Sequence, residues 1–324
     1  MTRPATNMPL RRQRGVALVT AIFVVTVVAT ATAYISFSQQ INLRQFENRA
    51  AQAQSEAVRQ GAIEGAITMM LIDAQNSSND HLDELWAKTP LAGDVGEGQF
   101  FAIVTDAQGK FNLNNLLKPD GTPSTPDIAV FRRILEAQDI RPDLVDSVLD
   151  WLDKDSQRRA SGAEDVDYLS LTTPYRTAAR NFESIDELRL VAGFVPKYVN
   201  LIRDYLSALP GRTTININTA PDAVFKALFQ PTADPAVVEQ ILKDRQQKPF
   251  TQKTDLAGRF HGTPGLPDVE YDVKSDYFNV NVSTQFGRLD RSFEALIHRE
   301  SKTLGQLVWS SNRVLLIGTE EREQ

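Results

Sequence analysis

The sequence predicts an α+β protein: a long N-terminal membrane-spanning helix laid on a small, mainly antiparallel sheet, with a large all-helical domain inserted. Three observations predict this. Residues 16–37 carry no charge, and apolar residues then recur at helical spacing to about residue 75. Strand-like composition appears near 98–113 and again near 277–317. Helical spacing fills the interval between them. The expected organisation is a basic leader over 1–15 and the long helix over 16–75. An α+β domain follows in two pieces, 76–124 and 272–324, around a helical insertion over 125–271.

The N-terminal helix comes first. Arg3, Arg11, Arg12 and Arg14 precede it with no acid among the first 15 residues, and the next charge is Arg44. A helix over residues 16–37 is about 33 Å long, enough to cross a hydrocarbon core of roughly 30 Å. The basic flank directs residues 1–15 to the cytoplasm and the bulk of the chain across the membrane. Three fates fit this segment. It is a plain signal anchor, or a secretory signal cut near Ala31 or Ala33. Alternatively the basic leader ends at Gly15, is cut before Val16, and the apolar helix is kept. That junction, Arg14-Gly15-Val16-Ala17-Leu18, resembles the leader of pilins and pseudopilins.

Beyond the apolar span, Leu43, Phe46, Ala50, Ala53 and Ala57 recur at spacings of three and four, then Ile63, Ile67 and Met70. One face is apolar and narrow, built largely of small residues. It suits packing on the chain's own sheet and on neighbouring helices alike. Asn76-Ser-Ser-Asn79 ends the helix.

Residues 98–105 are rich in β-branched and aromatic side chains, and 106–109 reads as a turn with 110–113 returning as a hairpin arm. Phe278, Val280 and Val282 alternate with polar residues, Gly287 marks a turn, and residues 292–298 and 307–314 read as two further strands. Helical spacing covers 126–137, 141–152, 185–192, 196–206, 220–229 and 235–246. Ser184, Thr219 and Asp234 stand where N-caps belong.

Composition narrows the function. Acidic residues number 41 against 35 basic, a net charge of −6, which disfavours a protein that coats duplex nucleic acid. With no cysteine there are no disulfides, thiolate nucleophiles or cysteine zinc sites. His81, His261 and His298 lie far apart, without a local metalloprotease signature. Asp153 and Glu164 imitate an acid–base pair, but no nucleophile motif, phosphate loop or dinucleotide fingerprint accompanies them, so no catalysis is expected. A helix-hairpin-helix element binding DNA, in a membrane-anchored periplasmic protein, is the rival reading. It rests on Asn216-Ile-Asn-Thr-Ala-Pro221, two helices, and Lys243, Arg245, Lys248 and Lys253. Seven basic and five acidic residues between 212 and 259 leave only +2, and the hairpin lacks the paired glycines that approach phosphate, so no nucleic-acid partner is expected.

The acidic segment 150–167 holds Asp150, Asp153, Asp155, Glu164, Asp165 and Asp167. Counted from Asp153, Asp155 and Glu164 fall at EF-hand offsets three and twelve, but the sixth position is Arg158 where that loop needs glycine. It is an acidic loop with cation-ligand spacing, not an EF-hand, and Arg158 and Arg159 weaken its field. A second, weaker acidic candidate is Asp268, Glu270, Asp272 and Asp276, just before the strand beginning near Tyr277.

Several stretches in order carry a wider resemblance: the Arg-Gly-Val junction, Phe111-Asn-Leu-Asn-Asn-Leu, Asp150-Trp-Leu-Asp-Lys-Asp155 with Gly162-Ala-Glu-Asp165, Tyr168-Leu-Ser-Leu171, Glu187-Leu-Arg-Leu190 and Ile215-Asn-Ile-Asn-Thr-Ala-Pro221. The chain resembles the minor pseudopilin K family of the type II secretion system. The resemblance implies a pseudopilin fold with a helical insertion. It also implies cleavage between Gly15 and Val16 by prepilin peptidase and N-methylation of Val16. The mature helix would be held in the inner membrane with the globular region in the periplasm. Implied partners are minor pseudopilins I and J at the pseudopilus tip, together with secreted cargo or the outer-membrane channel. Calcium is the implied ion, since the family has calcium-binding members; the acidic loop would supply Asp153, Asp155, Glu164 and Asp165, and the second acidic stretch offers Asp272 and Asp276 as weaker candidates. Most pilin-like subunits carry glutamate five residues after the cut, where this chain has Thr20. That glutamate is thought to neutralise the ammonium of the preceding subunit. A tip subunit has no predecessor, and a buried carboxylate there would lack its partner.

Overall fold

The computed structural model describes residues 14–260 and 264–313. Residues 1–13, which include the expected leader arginines Arg3, Arg11 and Arg12, together with His261 and Val314, lie outside the described residues.

Helix α1 (Arg14–Asn76) is continuous for 63 residues, about 95 Å. Its inner part bears Thr20, Thr26, Thr30 and Thr32, whose hydroxyls donate to carbonyls three or four residues back. Polar side chains are thereby satisfied within an apolar span. Among the described residues α1 is the one helix long and apolar enough to cross a membrane.

The expected apolar face divides in two. Leu43 and Phe46 are exposed, as are Ala53 and Ala57. From Ser55 onward the helix meets the sheet, burying Ala62, Ile63, Ala66 and Met70.

After a short helix, α2 (Leu85–Lys88), come strands β1 (Leu91–Val95) and β2 (Gly98–Asp106). Three more strands end the described chain: β7 (Tyr277–Phe286), β8 (Leu289–Arg299) and β9 (Gly305–Arg313), separated from β2 by four short strands introduced below. The order β1-β2-β7-β8-β9 is antiparallel throughout. Gly287, at φ +59°, makes the β7–β8 turn where a side chain would be strained. Alternation buries Ala102, Val104, Phe278, Val280, Val282, Phe293, Ala295 and Ile297 under α1. Trp86 closes this core edge-on against Phe278 at 5.4 Å, its indole N–H donating to Glu84 at 2.8 Å. Ser55 and Thr284 share a buried hydrogen bond of 2.6 Å.

The hairpin expected from residues 110–113 does not form. The antiparallel partners of β2 are β1, which composition did not signal, and β7. Phe111 and Asn112 form β3 instead, paired in parallel with β4 (Leu206–Ser207). The reason is packing: Phe111, Leu113 and Leu116 are buried in the core of the inserted region, not under α1.

That region is mainly helical: α3 (Thr125–Glu136), α4 (Val145–Leu152), α5 (Asp165–Leu169), α6 (Pro196–Ile202), α7 (Asp222–Leu228), α8 (Pro235–Gln247) and α9 (Thr254–Arg259). Residues expected as helix over 185–192 form a 3-10 helix, Ile185–Leu190, and the helix expected to reach 206 stops at Ile202. Short α5 and α9 escaped detection because five or six residues carry too little periodicity. A second parallel pair, β5 (Ile215–Asn216) with β6 (Tyr271–Asp272), brings the end of the insertion back beside its middle. Ser184 and Asp234 do cap, accepting from the N–H of Asp186 and Ala236. Thr219 does not: its hydroxyl donates to Asp106 at 2.5 Å.

Candidate functional site: an acidic cluster and a polar knot

Two polar constellations stand out. The first is the loop between α4 and α5. Asp153 ends α4, its N–H donating to Leu149 O at 2.9 Å, and Glu164 begins α5. Helix α5 opens on a capping box in which the Glu164 N–H donates to Asp167 Oδ2 at 2.9 Å. The chain therefore sets two carboxylates at two helix ends and folds the intervening loop so that they meet. Asp155 joins them, and one carboxylate oxygen from each of Asp153, Asp155 and Glu164 lies within 4.8 Å of the others.

Burial sharpens the site. Asp153 and Glu164 are 7% and 6% exposed, whereas Asp155 is open to solvent. Asp153 Oδ1 and Glu164 Oε1 are buried without a hydrogen-bond partner. Orphaned anionic oxygens cost free energy unless something positive meets them. Asp153 also sits at the negative end of α4, which adds to the cost. Burial pushes the Glu164 carboxyl up to about 7, helped by repulsion from Asp150, Asp153 and Asp155.

One base tempers this charge. Arg159 Nη1 donates to Asp150 Oδ1 and Asp153 Oδ2, both at 2.5 Å, and the Arg159 N–H donates to Asp150 Oδ2 at 3.1 Å. Arg158 turns away, to Asp167 Oδ1 at 3.1 Å and the carbonyl of Gly162. Asp165 is not in the cluster, since it accepts from Arg176 at 3.0 Å and from Thr177. Asp272 and Asp276 stand outside both acidic clusters found among the described residues. Asp272 accepts from the Val273 N–H, and Asp276 lends its carbonyl to the Arg299 N–H.

The second constellation is the motif Ile215 to Pro221, the core of the nucleic-acid reading. Asn216 Nδ2 donates to Asp106 Oδ2 and Ser275 Oγ, both at 2.9 Å, and to Asp80 O at 3.2 Å. Asn218 exchanges two hydrogen bonds with the backbone of Phe250. Arg245 is buried and donates to the carbonyls of Ile217 and Ala220, both at 2.8 Å. These groups are consumed in holding the chain together, and nothing favours DNA binding. Nearby, Arg299 pairs with both oxygens of buried Asp80 at 2.7 and 2.6 Å. Asp73 and Glu84 complete that second acidic cluster, which sequence reasoning missed. Asp80 and Arg299 are 219 residues apart, and no local pattern announces such a pair. Glu84 is taken by Trp86 and the His81 N–H.

A long apolar helix laid on an antiparallel meander, with a mainly helical region inserted between two neighbouring strands, is the build of a pilin-like subunit. Family models for type II secretion system protein K match residues 109–211 and 215–281. Protein K of Pseudomonas aeruginosa is 32% identical over 296 residues, covering 86% of each chain. Protein K of Aeromonas hydrophila is 30% identical, covering 89% of this chain and 94% of its own. The crystal structure of the GspK-GspI-GspJ complex from enterotoxigenic Escherichia coli matches with a TM-score of 0.70 at 22% identity, over 83% of this chain and 99% of that one. The chain belongs to the type II secretion system protein K family, the minor pseudopilins of that system. The first matched segment begins at Gly109, beside the core residue Phe111, and so spans the stretch that forms β3 rather than a hairpin arm.

Proposed function

We propose that this chain is cut between Gly15 and Val16 by prepilin peptidase and N-methylated at Val16. It is then held in the inner membrane by one span, with the globular region in the periplasm. From there it enters the pseudopilus and caps its tip with minor pseudopilins I and J, initiating assembly for protein export. The related GspK-GspI-GspJ complex, in which a K subunit is joined to I and J, supports those partners. Contact with secreted cargo or the outer-membrane channel would follow from the tip position.

The observation that carries the tip assignment is Thr20. Its hydroxyl donates to Val16 O and Ala17 O, both at 3.0 Å. The fifth mature residue is thus satisfied by its own helix and offers no carboxylate to a preceding ammonium. The insertion agrees: its bulk would obstruct lateral packing within a thin filament but not at its end. On α1, exposed Ala53, Ala57 and Gly61 supply a small-residue face for neighbouring helices.

Asp153, Asp155 and Glu164 fit a divalent cation, calcium by chemistry. Carboxylates supply the hard oxygens such an ion takes, and Asp153 and Glu164 each bury one oxygen without a hydrogen-bond partner. Bound there, the ion would fasten the end of α4 to the start of α5.

The N-terminal mass of protein from cells carrying the secretion machinery tests the processing. Methylated Val16 is expected, and a start at Tyr34 or an intact Met1 would overturn it. Thr20→Glu tests the tip assignment, because secretion is expected to fall and unchanged assembly would remove the argument.

A further inference from the structure

We infer that Arg159 is a positioning residue for the cation site, holding Asp153 so that one carboxylate oxygen is presented to the ion. The inference rests on the cation reading above.

The bonding pattern carries it. Arg159 takes Asp153 by Oδ2 alone and leaves Oδ1 buried without a partner. Asp150, wholly buried, has both oxygens engaged by Arg159, one through the guanidinium and one through the backbone N–H. Asp150 therefore anchors Arg159, and Arg159 fixes the rotation of Asp153. One carboxylate oxygen from each of Asp153, Asp155 and Glu164 lies within 4.8 Å of the others, and Asp153 and Glu164 each keep one buried oxygen without a hydrogen-bond partner. Gly162 makes room for this chain, since a Cβ there would lie 1.8 Å from Asp150 Oδ2. Groups that orient ligands in this way tune affinity strongly, typically 10–100-fold on mutation.

A rival account makes Arg159 a mere stand-in for the cation, neutralising the acids until an ion displaces it. The two accounts differ in sign. Deleting a positive charge beside the site favours a cation by Coulomb's law. If Arg159 only competes, Arg159→Ala binds calcium more tightly. If Arg159 positions Asp153, the same variant binds more weakly despite the improved field.

The test is calcium titration by calorimetry on the full-length chain in detergent, with circular dichroism and melting of the calcium-free protein as the fold control. Wild type is expected to bind, and Asp153→Asn and Glu164→Gln to lose binding. Arg159→Ala is expected to bind about tenfold or more weakly. Arg159→Lys keeps the charge without a planar fork and is expected to fall between. Terbium luminescence lifetimes in H2O and D2O count waters on the ion. Loss of the Asp153 oxygen should add about one water in Arg159→Ala, which a general loss of stability would not do. Wild type without calcium binding would sink the cation reading and this inference with it. Normal wild-type binding with equal or tighter binding by Arg159→Ala would overturn the inference alone.

Discussion

Asn216 spans the boundary between insertion and sheet, its Nδ2 donating to Asp106 Oδ2 at 2.9 Å. The same carboxylate oxygen accepts from Ser275 Oγ at 2.6 Å and Thr219 Oγ1 at 2.5 Å, while Gln108 N–H takes Oδ1 at 2.7 Å. A buried carboxylate is thus met by neutral donors from three separate segments.

Removing Asn216 leaves several buried acceptors short at once. Asn216→Ala is expected to destabilise the protein by about 1–3 kcal/mol, the range for stranding buried polar partners. Chemical denaturation of the full chain in detergent measures it. A loss below about 0.5 kcal/mol would mean the network is redundant.

Gly162 leaves no room for a side chain. The Cβ of Gly162→Ala would lie 1.8 Å from Asp150 Oδ2 and 2.7 Å from its Cγ, so Asp150 must move. A loss of about 1–3 kcal/mol is expected, as for overpacking, with weakened calcium binding alongside. Wild-type melting and calcium affinity together would contradict the geometry.

The pH dependence has a definite sign. Glu164 titrates near 7 in the folded protein against 4.5 ordinarily, chiefly through burial. Between those values the native state holds a proton that the unfolded chain releases. Its contribution therefore strengthens as pH falls from about 7 toward 4.5 and is lost as pH rises. Asp106, raised to about 6 by burial, and Asp73, raised to about 7 by burial and by Glu84 and Asp80, act in the same direction. Calcium-free protein should melt higher at pH 5.5 than at 7.5, and Glu164→Gln should flatten part of that slope. Calcium, competing with the proton, should bind more tightly at the higher pH. A slope indifferent to Glu164→Gln would show that its carboxyl titrates normally.

Gly61 gives a prediction with two readouts. It is exposed in mid-helix, and an added Cβ would meet nothing within 4 Å. Gly61→Ala should stabilise the isolated chain by about 0.5–1 kcal/mol through helix propensity. Assembly with the partner subunits should weaken, because the small-residue face is narrowed. Assembly as good as wild type would show that no helix approaches there.

Legibility in the sequence followed the range of the interactions. The long helix, β7, β8 and most insertion helices show in periodicity because neighbours in the chain share a face. Gly287 and the caps at Ser184 and Asp234 show because their chemistry is local. The fate of Phe111 does not: only contact with residues such as Phe131, stacked on it at 5.8 Å, decides which core it enters. β1 hides behind Leu-Ala-Gly-Asp-Val, a poor strand composition accepted because it pairs at an edge. The acidic loop was visible as spacing through Asp153, Asp155 and Glu164. That Asp165 faces Arg176 instead depends on how α5 is docked, which no spacing encodes.

Strands β2 and β7 are immediate antiparallel neighbours, with Asp106 opposite Phe278. To the sheet, everything from Ala107 to Asp276 therefore occupies the place of a hairpin turn. Closing so large an excursion costs little more entropy than closing a modest one, since the penalty grows only with the logarithm of length. The meander thus accommodates its helical appendage in one turn, without re-threading a single strand. Grafting a short turn between Asp106 and Tyr277 would return the chain to a bare helix-and-sheet module. The insertion hangs from a single turn of the sheet, and its polar knot is the seam.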